Sequence, residues 1–260
     1  MQPTLNIALR AARIAGEQVA RAVERLDIIK SEKEDVGAFI VDTAAAAERT
    51  VAYHLLKANP GHRITGLQSG SLGSQEKSDF EWFINPIDGL SYFSSALPTF
   101  ALALVCKQLG RIEHAVILNP ITGEEFTASR GRGAQVNGKR IRVSDLTTLP
   151  QALVGNHFNY HNEAGLDQHL NGTRQLYLQG ARLHQVGSAA LTLAYQAAGR
   201  TDACWIQGSD SWELEAGLLL LQEAGALIGD LNGSNDMLSN GNLVAANPKL
   251  FKQTLKLLHR

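Results

Sequence analysis

The sequence predicts an α/β fold of the mixed (α+β) kind, and three patterns support this prediction. An amphipathic helix pattern opens the chain, and apolar runs separated by turn residues over 99–141 are typical of antiparallel hairpins. Beyond Pro150, short apolar strands alternate with helix patterns. We therefore expect one domain over residues 1–260, with an antiparallel first half (about 1–148) and an α/β second half (about 149–260).

The first two helices are predicted from the spacing of apolar residues. Between positions 5 and 26, apolar residues recur at three- and four-residue steps, which is the period of one helix face. A charged connector is expected over 30–35 and a second helix over 43–58, ended by Asn59-Pro60-Gly61. The Gly- and Ser-rich segment 69–78 predicts a loop.

The remaining elements follow from alternation and turn residues. Strands are expected over 63–65, 82–84, 99–107, 112–119, 125–129, 152–155, 182–186, 202–206 and 243–246. Helices are expected over 163–178, 188–198, 213–224 and 248–258. The Asn137-Gly138 pair predicts a tight hairpin over 134–141, because both turn positions of such a hairpin need a positive φ.

Composition narrows the classes of partner. With 24 basic and 25 acidic side chains the net charge is −1, so no general attraction to nucleic acid or to an anionic membrane is expected. Cys106 and Cys204 are too few and too far apart for a disulfide framework and are expected to be buried thiols. The sequence shows no signal-peptide pattern and no apolar run long enough to cross a bilayer. We expect a cytoplasmic protein that binds neither membrane nor nucleic acid directly.

A candidate site lies in the stretch 82–93. A short apolar strand breaks at Pro86 and Gly89, and the backbone N–H groups of Gly89, Leu90 and Ser91 are then free to bind an anion such as phosphate. Asp88 lies at the same corner, where a carboxylate could hold a cation. An ordinary Asp-Gly turn is the alternative interpretation.

The order of residues in this stretch resembles the metal-binding signature of the inositol monophosphatase family, W-x-I-D-P-[IL]-D-G-T-x-x-[FY]. Further segments match the family in order along the chain: 119–128, 130–138, 187–200, 212–217 and 241–248. The resemblance implies an αβαβα layered sandwich. It also implies a hydrolase of phosphate monoesters, such as inositol 1-phosphate, that uses clustered Mg²⁺ ions.

The resemblance places the catalytic positions of the family on residues that lack the required chemistry. The first ligand glutamate falls on Leu67, and the threonine and aspartate that activate water fall on Leu90 and Ala44. No catalytic position is therefore intact. A leucine or alanine side chain offers no oxygen to a metal ion or to a water molecule.

Only part of the metal site is retained. The first signature aspartate falls on Asn85, the second is kept as Asp88, and the aspartate of W-D-x-A-A-G falls on Glu213. The main-chain carbonyl of Ile87 completes this remnant by resemblance, and the backbone of Gly89, Leu90 and Ser91 is the implied phosphate position.

The charge that remains is too small for the family's ion cluster. Four carboxylates have become two, and a carboxylate about 4 Å from a divalent ion contributes roughly 8 kcal/mol before desolvation offsets most of it. We expect at most one weakly bound Mg²⁺, between Asp88 and Glu213. Other acids do not substitute: Asp42 is expected to cap a helix, Glu76 and Asp79 to be solvated, and Glu215 to face away from Glu213.

Other signals receive structural interpretations. His157 and His161 could chelate zinc only on a helix, and a strand end with a turn is predicted there. The segment Gly131-x-Gly133 belongs to a hairpin rather than to a dinucleotide-binding turn, and Ser188 is expected to cap a helix. Trp205 and Trp212 are expected to lie in the core. A basic hairpin is formed by Arg130, Arg132, Lys139 and Arg140, and we expect it either to be solvated or to contact an acidic partner.

The N-terminal segment 3–13 resembles the bacterial extragenic-suppressor branch of the family most closely. That resemblance implies a homodimer that acts in ribosomal RNA antitermination, with RNA polymerase and NusA as partners. We therefore expect a catalytically degenerate protein that acts through protein contacts. Two alternatives stay open: a Mg²⁺-dependent phosphatase with altered ligands, and a module that holds a phosphorylated ligand without cleaving it.

Overall fold

Two β-sheets and three layers of helices form the fold over residues 2–259, which the computed structural model describes. The helices are α1 (Pro3–Ser31), α2 (Val36–Ala58), α3 (Leu90–Ser94), α4 (Leu166–Leu178), α5 (Ala189–Ala197), α6 (Ser211–Ala224), α7 (Met237–Asn240) and α8 (Pro248–Leu258). The strands of the first sheet are β1 (Arg63–Gly66), β2 (Gly70–Ser71), β3 (Phe80–Asp88), β4 (Ala101–Gln108), β5 (Arg111–Asn119), β6 (Glu124–Ser129), β7 (Gly133–Val136) and β8 (Lys139–Arg140). Those of the second sheet are β9 (Leu153–Phe158), β10 (Arg182–Gln185), β11 (Ala203–Gln207), β12 (Leu227–Gly229) and β13 (Leu243–Ala246).

The two sheets differ in strand direction as the sequence predicts. The first has the order β2-β1-β3-β4-β5-β6-β7-β8, and all of its pairs are antiparallel except β1 with β3. The second has the order β10-β9-β11-β13-β12; β9 pairs in parallel with β10 and β11, and β13 pairs antiparallel with β11 and β12. The mixed α/β class is therefore confirmed.

Three apolar cores separate the five layers. The first lies between α1, α2 and one face of the first sheet, and includes Val19 and Leu104. The second surrounds α5 and α6 between the two sheets, with Leu193 and Ile117 buried in it. The third lies between the second sheet and helices α4 and α8, around Trp205. This αβαβα order is the one that the family resemblance implies.

The connection between α1 and α2 differs from the prediction. Helix α2 begins at Val36, since Val36, Phe39 and Ile40 follow helical spacing and pack against the first core. Its cap is Asp35, whose Oδ1 accepts hydrogen bonds from the N–H groups of residues 37 and 38 at 2.8 and 3.1 Å. Asp42 is exposed inside the helix, so the expectation that Asp42 is a cap is wrong.

Several local predictions are confirmed. Asn137 and Gly138 have φ angles of 49° and 76° and join β7 to β8 in a tight hairpin. Pro248 is the first residue of α8, and Asn247 caps that helix. Strands β2 and β12 and helix α7 were not predicted; each spans four residues or fewer, too short for a periodic pattern.

An ion pair joins the first sheet to α6. Lys107 Nζ lies 2.6 Å from Glu215 Oε1 and 4.4 Å from the centre of the Phe83 ring. The Phe83 ring in turn meets the edge of Trp212, with the ring centres 5.4 Å apart. Glu215 thus binds Lys107, on a different side of α6 from Glu213, as predicted. Trp205 is fully buried, which confirms its place in the core. Trp212 is only half-buried, so the prediction that it also lies in the core is wrong.

Over residues 2–259, none of the helices combines the length and the apolar character that crossing a bilayer requires.

The crossing of α5 and α6 gives a test of core packing. A methyl group on Gly217 of α6 would lie 2.4 Å from Leu193 Cβ, so Gly217→Ala should lower the free energy of unfolding by about 1–3 kcal/mol through overpacking. Alanine's better helix propensity, about 1 kcal/mol, offsets part of this cost. Urea unfolding of Gly217→Ala measures the change. Gly61→Ala, which adds a methyl group in open space, is the control, and equal stability of the two variants would contradict the packing described.

Candidate functional site

A cleft of about 340 Å³ opens where β3, α3, the end of β9 and the start of α6 meet. The predicted site residues that line it are Leu67, Asn85, Ile87, Asp88, Gly89, Leu90, Ser91 and Glu213. Ala44 is the exception, since it is buried on α2 and is not among the lining residues. The structure therefore brings eight of the nine predicted positions to one place.

Asp88 ends β3 and is only 2% exposed. Its Oδ2 accepts hydrogen bonds from Ser188 Oγ and from the N–H of Ala190 at 2.8 Å, both at the start of α5. Ser188 Oγ also accepts a hydrogen bond from the N–H of Leu191 at 3.0 Å, which confirms that Ser188 caps α5. The second bond of Ser188, to Asp88, was not predicted and ties one carboxylate oxygen of Asp88 to the protein.

Burial and neighbouring acids raise the pKa of both cleft carboxyls. Burial, and after it the charge of Glu213, raise the pKa of Asp88 to about 7, although the bonds from Ser188 and Ala190 oppose the shift. The pKa of Glu213 is also raised, chiefly by burial, although its Oε2 accepts a bond from the N–H of Asp210 at 3.3 Å. The residues described as lining the cleft include no lysine or arginine that could pair with these acids.

The other family positions have become neutral or apolar. Asn85 is 3% exposed, and its Oδ1 has no hydrogen-bond partner in the structure. Leu67 and Leu90 are about half exposed, at 50% and 51%, on the rim of the cleft. The cleft thus has a polar floor, and two leucines stand at its rim beside the exposed Tyr160 and Asp210.

Glu48 holds the turn that carries Leu67, and this contact was not predicted from the sequence. Glu48 is fully buried on α2, and its two carboxylate oxygens accept bonds from the N–H groups of Gln68 and Ser69, each at 2.7 Å. These bonds fix the turn after β1 that carries Leu67. The available signal was an acid placed within the buried stripe of α2 that includes Ala47 and Val51.

Two histidines and a tyrosine complete the cleft wall. His157 lies on β9 and His161 in the following turn, as predicted, and both line the cleft. Burial lowers the pKa of His157 to about 4, so its ring is neutral at pH 7. Tyr160 is 67% exposed, and its hydroxyl lies 3.3 Å from Ser91 Oγ at the cleft mouth.

The residues present do not fit a two-ion Mg²⁺ cluster. Mg²⁺ prefers near-octahedral oxygen coordination, and one oxygen of Asp88 already accepts two hydrogen bonds. Asn85 is neutral, and Leu67 offers no ligand. Within residues 2–259, no set of three or more His, Cys, Asp or Glu side chains is arranged to hold a metal ion.

The basic hairpin lies away from the cleft and is fixed by an acid. Glu223 of α6 accepts bonds from the N–H groups of Gly131 and Gly133, each at 2.7 Å, which confirms the hairpin interpretation of this segment. Arg130 donates to the carbonyl of Ile112 at 2.7 Å, while Arg132 is exposed.

Comparison with known proteins gives consistent matches over the whole chain. The model of the "Inositol monophosphatase family" matches residues 1–260. A "Nus factor SuhB" from Pseudomonas aeruginosa is 48% identical over 258 residues, covering 98% of this chain and 95% of that protein. The "Nus factor SuhB" of Escherichia coli K12 is 37% identical over 255 residues, with 98% and 95% coverage. The crystal structure of the extragenic suppressor protein suhB from Bartonella henselae superposes with a TM-score of 0.87 at 29% identity, covering 100% of both chains.

The raised pKa of Asp88 predicts a pH-dependent stability. Between about pH 4 and pH 7 the folded protein holds a proton on Asp88 that the unfolded chain releases, so stability falls as pH rises through this window. Asp88→Asn removes the titrating group. The stability of the wild type relative to Asp88→Asn should therefore decrease from about pH 4 to about pH 7, as measured by urea unfolding.

Asp42→Asn, on the exposed face of α2, is the matched control and should show no such trend. A stability difference between wild type and Asp88→Asn that stays constant or grows with pH would contradict the burial of a proton-binding Asp88.

Proposed function

The chain belongs to the inositol monophosphatase family, and from this premise we propose that it acts as a Nus factor of the SuhB kind, through protein contacts, with its phosphatase site inactive or severely impaired. The observation that carries the proposal is the composition of the cleft. Only Asp88 and Glu213 remain as acids at the family's metal positions.

The missing groups account for an impaired reaction. Hydrolysis of a phosphate monoester by clustered Mg²⁺ needs ions that neutralise the phosphate and a water molecule that is activated for attack. Leu90 and Ala44 cannot polarise a water molecule, and Leu67 leaves one ion without a ligand. Each of these losses acts on the same step, so together they reduce turnover strongly.

The proposed role rests on the relatives and on an exposed apolar face. The two bacterial relatives described above are Nus factors, and a function that depends on a surface persists when the metal site decays. Helix α4 exposes an apolar stripe in which Leu166, Leu170 and Tyr177 share one face, with Leu178 beside that face at the last residue of the helix. An exposed apolar stripe is typical of a protein–protein contact.

The partners implied by the family branch are a second copy of the chain, RNA polymerase and NusA. We assign the α4 stripe to one of these contacts. The proposal places the protein in the cytoplasm, where bacterial transcription takes place.

A second candidate function is a Mg²⁺-dependent inositol-phosphate or sugar-phosphate monoesterase with altered ligands. It is favoured by the two acids that still line the cleft, Asp88 and Glu213. The phosphate would lie at the backbone of Gly89, Leu90 and Ser91, where Gly89 adopts a φ of 98° that favours glycine. A phosphorylated ligand held there without cleavage is the remaining possibility.

Restoring the missing groups tests the catalytic part of the proposal. The variant Ala44→Asp, Leu67→Glu, Asn85→Asp, Leu90→Thr should hydrolyse inositol 1-phosphate with Mg²⁺ at least about a hundredfold faster than the wild type, since it regains ligands and a water-activating pair. Adding Glu213→Gln to this variant should remove the gain. A wild type that turns over as fast as the restored variant would favour the second candidate function.

Substitution of the α4 stripe tests the contact. Leu170→Glu combined with Leu178→Glu should weaken self-association or partner binding by at least about tenfold, because it places charges in an apolar interface. Light scattering measures the oligomeric state, and co-purification measures retention of RNA polymerase and NusA. Leu109→Glu, at an exposed turn elsewhere, is the control. Unchanged mass together with unchanged partners in the α4 variant would reject this surface.

A further inference from the structure

The cleft gathers three acidic side chains, and the residues described as lining it include no lysine or arginine. These acids are Asp88, Asp210 and Glu213. Asp210 is exposed at the edge, whereas Asp88 lies at the floor. A negative potential focused in a concave site attracts cations.

An unpaired acceptor lies beside this charge. Asn85 lines the same cleft, its side chain is 3% exposed, and its Oδ1 has no partner in the structure. A buried carbonyl oxygen without a donor costs about 1–3 kcal/mol. A ligand that brings N–H donors satisfies Asn85 and the carboxylates together.

The rim favours an organic cation over a metal ion. Leu67 and Leu90 present half-exposed apolar side chains at the mouth, and the ring of Tyr160 lies beside it. Mg²⁺ gains nothing from such a rim, whereas an aliphatic stem packs against leucine and a cationic head is attracted by an aromatic face. An ammonium or guanidinium group also tolerates looser geometry than an octahedral ion does, because it donates three to five hydrogen bonds.

We propose that the cleft of this chain binds an organic cation, namely a primary ammonium or guanidinium group on an aliphatic stem. The ammonium or guanidinium group would donate hydrogen bonds to the carboxylates of Asp88 and Glu213 and to the amide oxygen of Asn85. The aliphatic stem would contact Leu67 and Leu90. The source is either a free polyamine or a Lys or Arg side chain of a peptide. This binding site is distinct from the α4 contact and does not depend on the proposed Nus role.

Calorimetric titration of the full chain with defined probes tests the proposal at constant ionic strength. n-Butylguanidinium and n-butylammonium should bind at least about tenfold more tightly than tetramethylammonium, which has the same charge but no N–H donor. Spermidine and a short Arg-containing peptide distinguish the two sources of the same group.

Two variants and one control locate the site. Glu213→Gln and Asn85→Leu should each weaken n-butylguanidinium binding by about tenfold or more. Glu24→Gln, which removes an exposed carboxylate on α1, should leave the affinity unchanged. Thermal unfolding shows whether either variant has a folding defect, and the other variant then still tests the site.

Three results would overturn the proposal. These are the absence of binding by either alkyl cation, equal affinity for tetramethylammonium, or binding that neither Glu213→Gln nor Asn85→Leu weakens. Displacement of n-butylguanidinium by Mg²⁺ at a lower concentration than the organic cation needs would also count against it, since the site would then prefer the metal.

Discussion

The buried contact between the end of β3 and the start of α5 is the constraint on which the rest of the structure depends. Asp88, the last residue of β3, accepts hydrogen bonds from Ser188 and Ala190 at the start of α5. One carboxylate therefore links the first sheet to the helical layer that lies between the two sheets. Gly187 allows this approach: a Cβ on it would lie 1.9 Å from a ring carbon of Tyr92. The cleft lies at this junction, and the contacts of Asp88 and Gly187 contribute to its shape.

The contact between Asp88 and α5 explains how the fold persists while the residues at the family's metal and catalytic positions change. Asp88 is held by hydrogen bonds from α5 and by the helix dipole, so it keeps its position when Asn85 and Leu67 replace neighbouring acids. Burial raises the pKa of both Asp88 and Glu213, and the charge of Glu213 adds to the shift of Asp88. A cleft with few acids, no lysine or arginine among its described lining residues and two leucines at its rim suits an organic cation better than a pair of metal ions. A role that depends on a surface does not need this cleft to hydrolyse phosphate.

The sequence predicts those parts of the fold that local signals encode, and the family signature assembles most of the cleft. Asn137-Gly138 fixes a hairpin by its backbone conformation, and that prediction is confirmed. Asp42 was the predicted cap, whereas Asp35 caps α2, because the first turn of α2 packs against the core and the helix begins at Val36. Glu48 and the approach of Tyr160 to Ser91 join residues far apart in the chain, and no local pattern reports such contacts.

The number of divalent ions that this cleft holds decides whether the metal site of the family is lost. Anomalous diffraction from a crystal of the wild-type chain soaked in Mn²⁺ measures that number, because each bound ion gives its own peak. We expect at most one weak peak, between Asp88 and Glu213. Two strong peaks of full occupancy in the cleft, coordinated by protein carboxylates, would contradict it.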